Sequence, residues 1–290
     1  MITRHGVSNP CGIYEKALPP GDAPTQARAA AAAGYDFVEL ALDDDPWRLA
    51  RLTWTPQQRR TVRSVYADAG VPIKTIVLSA HRRWPWGSPR ADVRARADSL
   101  AAGAIDLAAD LGADTVQIAG YFNYDEPAGA RSRNQFIDGL RRAADRADSR
   151  GVVLALENMD GQDVLSARDA LAIVREVPSV RLYVDVGNFA GNGLPVIDEL
   201  ATALPFARAV QFKDARPGVF RRVPFGEGVV PFPDVIGLLY DIGFTGPISV
   251  EMWNDDEDPD LAKQARGWFT GIVDDVIAAR AGATSDCGCH

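Results

Sequence analysis

Histidine, cysteine and long apolar runs are all scarce in this chain, and each scarcity removes a class of protein. Its 290 residues include three histidines and three cysteines. Cys11, Cys287 and Cys289 are too few to build a disulfide framework. No apolar run is long enough to predict a transmembrane helix. The opening MITRHGVSNPCG lacks the apolar stretch of a secretory signal. Positive charge is also short: 31 Lys and Arg stand against 39 Asp and Glu, a formal net charge of −8. Such a surface repels nucleic acid and anionic membranes over long range. An anionic small substrate would therefore need a local basic pocket. No G-x-G-x-x-G follows the first apolar run, which argues against a dinucleotide fold. The expectation is a cytoplasmic, single-domain protein with no nucleic-acid or membrane partner; self-association is left open.

What is present is regular alternation. Apolar runs lie near 12–15, 36–41, 72–79, 113–119, 151–157, 180–186, 208–212 and 247–251, with amphipathic stretches between them. The stretch TQARAAAAAG ends on Gly34, a helix stop. TPQQRRTVRSVYADAG starts on Thr-Pro and stops on Gly70, with the same logic. The runs are continuously Val/Ile/Leu-rich, as in parallel strands buried on both faces. Eight such strands with helices between them, and a last helix near 258–281, count out an α/β fold: a single (β/α)8 TIM barrel over 1–282. A doubly wound open sheet is the alternative, since βα alternation alone fits both. Residues 283–290 are expected to form a disordered tail. Its Cys287, Cys289 and His290 do not complete a tetrahedral metal site.

Four polar residues end successive apolar runs: Glu157 in VVLALE, Asp185 in RLYVD, Gln211 in RAVQ and Glu251 in PISVE. Polar groups at strand C-termini are how a barrel assembles a site on its C-terminal face. Three carboxylates and an amide oxygen are hard ligands, suited to Mn²⁺ or Mg²⁺, with Zn²⁺ a softer alternative. The residues two before them share their face: Ala155, Tyr183, Ala209 and Ser249. Three of these are small, which leaves room beneath a metal and its ligand.

The segments GIYEKALP, YDFVELALDD, LSAHRRWPWGS, LALENMD, YVDVGN, KDARPGVFRRVPFGEGVV and GPISVEMW resemble the L-ribulose/L-xylulose-5-phosphate 3-epimerase family, one of the xylose-isomerase-like barrels. The likeness spans about residues 12–270. It implies a divalent metal on Glu157, Asp185, position 211 and Glu251, with Glu157 and Glu251 also serving as acid and base on opposite faces of the sugar. At position 211 the family pattern has His. Gln211 departs from it, and Lys213-Asp214 fixes the register. Three outcomes stay open: a weaker amide ligand, a three-ligand site completed by water, or loss of catalysis. Other isomerases or an inosose dehydratase of the same superfamily, and a non-catalytic sugar-phosphate-binding protein, remain alternatives. A three-metal endonuclease of the superfamily would need more than three histidines.

A sugar-phosphate substrate requires anion-binding groups. The candidates are His81, Arg82 and Arg83 after the third strand, and Arg216, Arg221 and Arg222 after the seventh, where Gly226 and Gly228 could cradle an anion with backbone N–H groups. The barrel precedent favours the 216–228 segment. Asn188 is expected either to bind a substrate hydroxyl or to make an Asx turn. Glu15, Lys16 and Glu39 fall at the ends of the first two strands, as substrate contacts or supporting ion pairs.

Overall fold

Eight short strands hydrogen-bond in parallel around a closed ring. They are β1 (Cys11–Tyr14), β2 (Phe37–Ala41), β3 (Ile73–Leu78), β4 (Thr115–Ala119), β5 (Val153–Glu157), β6 (Arg181–Asp185), β7 (Ala207–Phe212) and β8 (Ile248–Val250). The computed structural model describes residues 3–4, 7–124 and 129–286. β8 pairs with both β7 and β1, through Ile248↔Val210 and Ile248↔Cys11. That closure excludes the open doubly wound sheet. Thr3–Arg4 and Val7–Ser8 form a small antiparallel pair ahead of the ring.

The main helices are α1 (Ala23–Ala32), α2 (Pro56–Asp68), α3 (Ala91–Leu111), α4 (Ser132–Arg150), α5 (Ala167–Glu176), α6 (Val196–Ala203), α7 (Phe232–Ile242) and α8 (Leu261–Asp286). α2 starts on a reciprocal cap: Gln58 N–H donates to the Thr55 hydroxyl, and Thr55 N–H donates to the Gln58 side chain. Gly34 and Gly70, just past α1 and α2, take the left-handed backbone their positions predict, with φ of 82° and 78°. α8 reaches Asp286, beyond the expected domain end at 282, so 283–286 continue a helix rather than start a tail. Cys287, Cys289 and His290 lie outside the described residues. No helix among the described residues is long and apolar enough to cross a membrane.

Apolar side chains between the ring and the helices form the main core, including Ile13, Val38, Ile76, Val116, Leu154, Val184 and Val250. Inside the ring the filling is partly polar. Tyr183 reaches from β6 across to β2, where its hydroxyl hydrogen-bonds Glu39, and it also lies 3.4 Å from the Ser249 hydroxyl of β8. Ala155 and Ala209 pack beside the Tyr183 ring. Burial pushes the Glu39 carboxyl up to about 8, against the lowering effect of the Tyr183 bond, so at neutral pH it keeps its proton. This layer is the floor of the site.

Candidate active site

Three of the four polar strand ends converge. Carboxylate oxygens of Glu157, Asp185 and Glu251 all lie within 4.8 Å of one another, and all three residues are buried. Glu157 and Asp185 close β5 and β6, and Glu251 follows β8 directly, its N–H donating to Phe212 O at 2.9 Å. The ends of β5 and β6 are clamped by Asn158, whose side chain donates to Asp185 O at 2.9 Å and accepts from Asp185 N at 2.8 Å. Asp185 then caps the short helix Val186–Gly191 by accepting from Asn188 N at 3.0 Å. That helix must press on the neighbouring strand end: a Cβ on Gly187 would meet Lys213 O at 2.4 Å.

Lys213 sits among the carboxylates. Its Nζ lies 2.7 Å from Asp185 Oδ2 and 3.0 Å from Glu251 Oε2, and it donates to Asn188 Oδ1 at 2.9 Å. Burial opposes its charge, but Asp185, Glu251 and Glu157 outweigh that and hold it protonated well above the usual lysine range. One ammonium offsets only one of three carboxylates. Burial, then the charges of Glu251 and Asp185, accordingly push Glu157 up to about 8; burial raises Asp185 to about 6 against the pull of Lys213. The sequence reading used Lys213 only as a register marker. Its signal was available, because it lies two residues beyond Gln211 and so shares its face.

Gln211 is fully buried and paired in register with Asp185. Its Oε1 accepts from Gln117 Nε2 of β4 at 3.4 Å, and its own Nε2 has no partner among the described residues. The amide oxygen is thus turned to the barrel interior. A hard divalent ion still fits the rest of the set: three carboxylates converge, and Asp185 Oδ2 and Glu251 Oε2 face Lys213 and have no other hydrogen-bond partner among the described residues.

The expected phosphate loop is corrected. Asp214 already supplies its anion: Oδ2 accepts from Gly226 N and Gly228 N at 2.9 Å each, and Oδ1 accepts from Ala215 N at 2.9 Å. The fit is tight, since a Cβ on Gly228 would lie 1.9 Å from Asp214 Oδ1. Arg216 is exposed and bound to Glu227 of its own loop. Arg222 is exposed and paired with Asp255. Gly226 and Arg216 therefore serve the loop rather than an anion.

His81 is corrected too. It is buried against Trp86 at a ring distance of 4.3 Å, with Nε2 3.1 Å from Ala97 O of α3. Burial lowers it to about 4, so it is neutral and part of the core. Its neighbour Arg82 turns the other way and lines the mouth, as does Arg221. Asn188 is not an Asx turn. Its Nδ2 donates to Glu157 Oε1 at 3.3 Å and to Asn158 O at 2.8 Å, tying Glu157 to Lys213. Glu15 supports β2, accepting from Ala41 N at 2.9 Å and pairing with Arg51 at 2.7 Å. Tyr14 at the end of β1, and Met159 and Asp160 after β5, also line the mouth and were missed, because they become neighbours only when the ring closes.

The family model "Xylose isomerase-like TIM barrel" matches residues 27–272. An L-ribulose-5-phosphate 3-epimerase, UlaE of Salmonella paratyphi C, is 40% identical over 264 residues, covering 89% of this chain and 93% of that protein. The chain belongs to the L-ribulose-5-phosphate 3-epimerase family of xylose isomerase-like TIM barrels. It is an enzyme of the isomerase class. Solved structures of the family's fold agree. An L-ribulose 3-epimerase superposes with a TM-score of 0.76 at 19% identity, covering 96% of this chain and 98% of its own. D-psicose 3-epimerase of Clostridium cellulolyticum H10, solved with D-tagatose, gives 0.74 at 15% identity, covering 91% and 99%.

Proposed function

We propose that this protein inverts C3 of a phosphorylated pentulose, interconverting L-ribulose 5-phosphate and L-xylulose 5-phosphate, with Glu157 and Glu251 as the acid–base pair. One observation carries the reading. The buried carboxylate trio lies at the barrel mouth of a chain that is 40% identical, nearly end to end, to an enzyme named for that reaction. Glu157 and Glu251 come from strand ends separated by β6 and β7 in the ring, so they reach a ligand between them from different sides. One carboxylate takes the C3 proton; the C–H electron pair forms the C2=C3 bond of an enediolate, and the carbonyl π pair moves onto the C2 oxygen, to return as C2=O when C3 is reprotonated. The other, starting protonated, gives its proton to C3 from the opposite face. The two residues end with protonation states exchanged, so no net proton is consumed. A single base would return the original stereocentre.

Glu157, Asp185 and Glu251 would hold a divalent cation, Mn²⁺ or Mg²⁺ before Zn²⁺. The chemistry it supplies is neutralisation of the charge that develops on the sugar oxygens. Lys213 and Asn188 keep the carboxylates placed and must yield room, since the space left among these groups is about 20 Å³, the size of one water. Gln211 leaves the fourth ligand position weak. Gln211→His is expected to tighten Mn²⁺ binding by at least about tenfold, measured by titration calorimetry; unchanged or weaker binding would place position 211 outside the ligand set.

The direct test follows C3 of L-ribulose 5-phosphate by NMR in D₂O, with and without Mn²⁺. Metal-dependent deuterium at C3 together with L-xylulose 5-phosphate is the expected result. Binding without exchange under any metal would favour a second reading, a sugar-phosphate-binding protein without turnover. Lys213 among the carboxylates and the inward-turned Gln211 are the observations on that side.

A further inference from the structure

We propose that Gln117 is a positioning residue for the cation site: on metal loading the Gln117 and Gln211 amides exchange orientation, so that Gln117 Oε1 accepts from Gln211 Nε2 and Gln211 Oε1 is released to join Glu157, Asp185 and Glu251. The inference rests on the metal-dependent reading above and names what makes the amide at position 211 usable. Both residues face the barrel interior. Val116 and Ile118 pack toward the helices, so Gln117 between them points inward, in register with Ala155 of β5. Gln211 stands in register with Asp185, two residues beyond Ala209 on the same face. β5 and β6 lie between β4 and β7 in the ring, so the two amides meet across the interior. Ala155 and Ala209, packed on the Tyr183 ring, are too short to stand between them.

The pair is incomplete as it stands. Gln117 Nε2 donates to Gln211 Oε1 at 3.4 Å, longer than an ordinary N–H···O bond. Both residues are buried, and Gln117 Oε1 and Gln211 Nε2 have no partner among the described residues. Buried amide atoms left unpaired are costly. Without a cation, exchanging both amides relieves nothing, because one hydrogen bond replaces another and two atoms stay unpaired. A cation on Gln211 Oε1 changes that count. In the exchanged pair both amide atoms of Gln211 are satisfied, and only Gln117 Nε2 lacks a partner. The two ends of a primary amide are close in size, so a half-turn of each terminal torsion needs little repacking. A partner that fixes a ligand's orientation from behind is the usual support of a metal site.

The experiment measures Mn²⁺ binding by titration calorimetry in the wild type, Gln117→Met, Gln211→Met and the double variant, with melting curves as the folding control. Gln117→Met keeps the length of the side chain and removes the acceptor. It should weaken Mn²⁺ binding by about tenfold, the lower end for the outer partner of a ligand. Gln211→Met should weaken binding at least as much. Adding Gln117→Met to it should then cost nothing further, because Gln117 acts only through Gln211. A residue that merely packs the interior would cost the same in both backgrounds. If Gln117→Met does not fold, Gln117→Glu carries the test: it retains the acceptor, so at least the wild-type affinity is expected, and a tenfold loss would overturn the proposal. Equal losses from Gln117→Met in the two backgrounds, or no loss in either, would overturn it and leave the metal reading standing. A wild type that binds no Mn²⁺ would overturn the metal reading, and this proposal with it.

Discussion

Glu157→Gln and Glu251→Gln are each expected to lower the rate of C3 inversion by about 10²–10⁴-fold, the usual contribution of a positioned acid or base. Glutamine preserves shape and a ligating oxygen while removing the ability to carry the proton. The two losses should also differ in kind. With one base left, a variant can exchange the C3 proton of the epimer whose hydrogen faces that base, without producing the other epimer. Glu157→Gln and Glu251→Gln should therefore wash deuterium into opposite epimers. Full inversion by either variant would end the two-base assignment. Circular dichroism and thermal melting supply the folding control. The polar floor of Tyr183, Glu39 and Ser249 is untouched by these changes and should leave the barrel intact.

Lys213→Met is expected to lower the stability of the metal-free protein by about 3 kcal/mol, within the range for removing one partner of a buried ion pair. At an effective dielectric near 20, an ion pair at the Lys213–Asp185 distance attracts by about 6 kcal/mol. Desolvation of both groups offsets part of that, and protonation of a carboxylate in the variant recovers more. The same ammonium competes with any divalent ion for Asp185 and Glu251. Removing it should thus make Mn²⁺ stabilise the variant more than it stabilises the wild type. Melting curves with and without Mn²⁺ measure both effects. A variant as stable as the wild type without metal, or one with a smaller metal-induced rise in Tm, would show that Lys213 does not hold the carboxylates together.

Much of this architecture is readable from the order of residues. Strand placement follows from local apolar runs, because a parallel strand covered on both faces needs little but Val, Ile and Leu along its length. Strand ends at Glu157 and Asp185 fall where those runs meet a carboxylate. The convergence of Glu157, Asp185 and Glu251 then follows from the ring, since like ends of parallel strands gather on one face. α8 runs on through Gly282 to Asp286, although the glycine and the following Thr284, Ser285 and Asp286 are poor helix formers, so local propensity alone places its end too early.

What only the tertiary structure decided is the partner of each polar side chain. Gln211 meets Gln117, Tyr183 meets Glu39 across the barrel, and Arg82 and His81, adjacent in the chain, part to the mouth and the core. The 216–228 segment has the composition of an anion cradle, and it is one, but its anion is Asp214. Backbone periodicity is a local property and survives in the sequence. The pairing of a charge depends on which groups from distant strands compete for it once water is excluded, and that competition exists only in the closed ring.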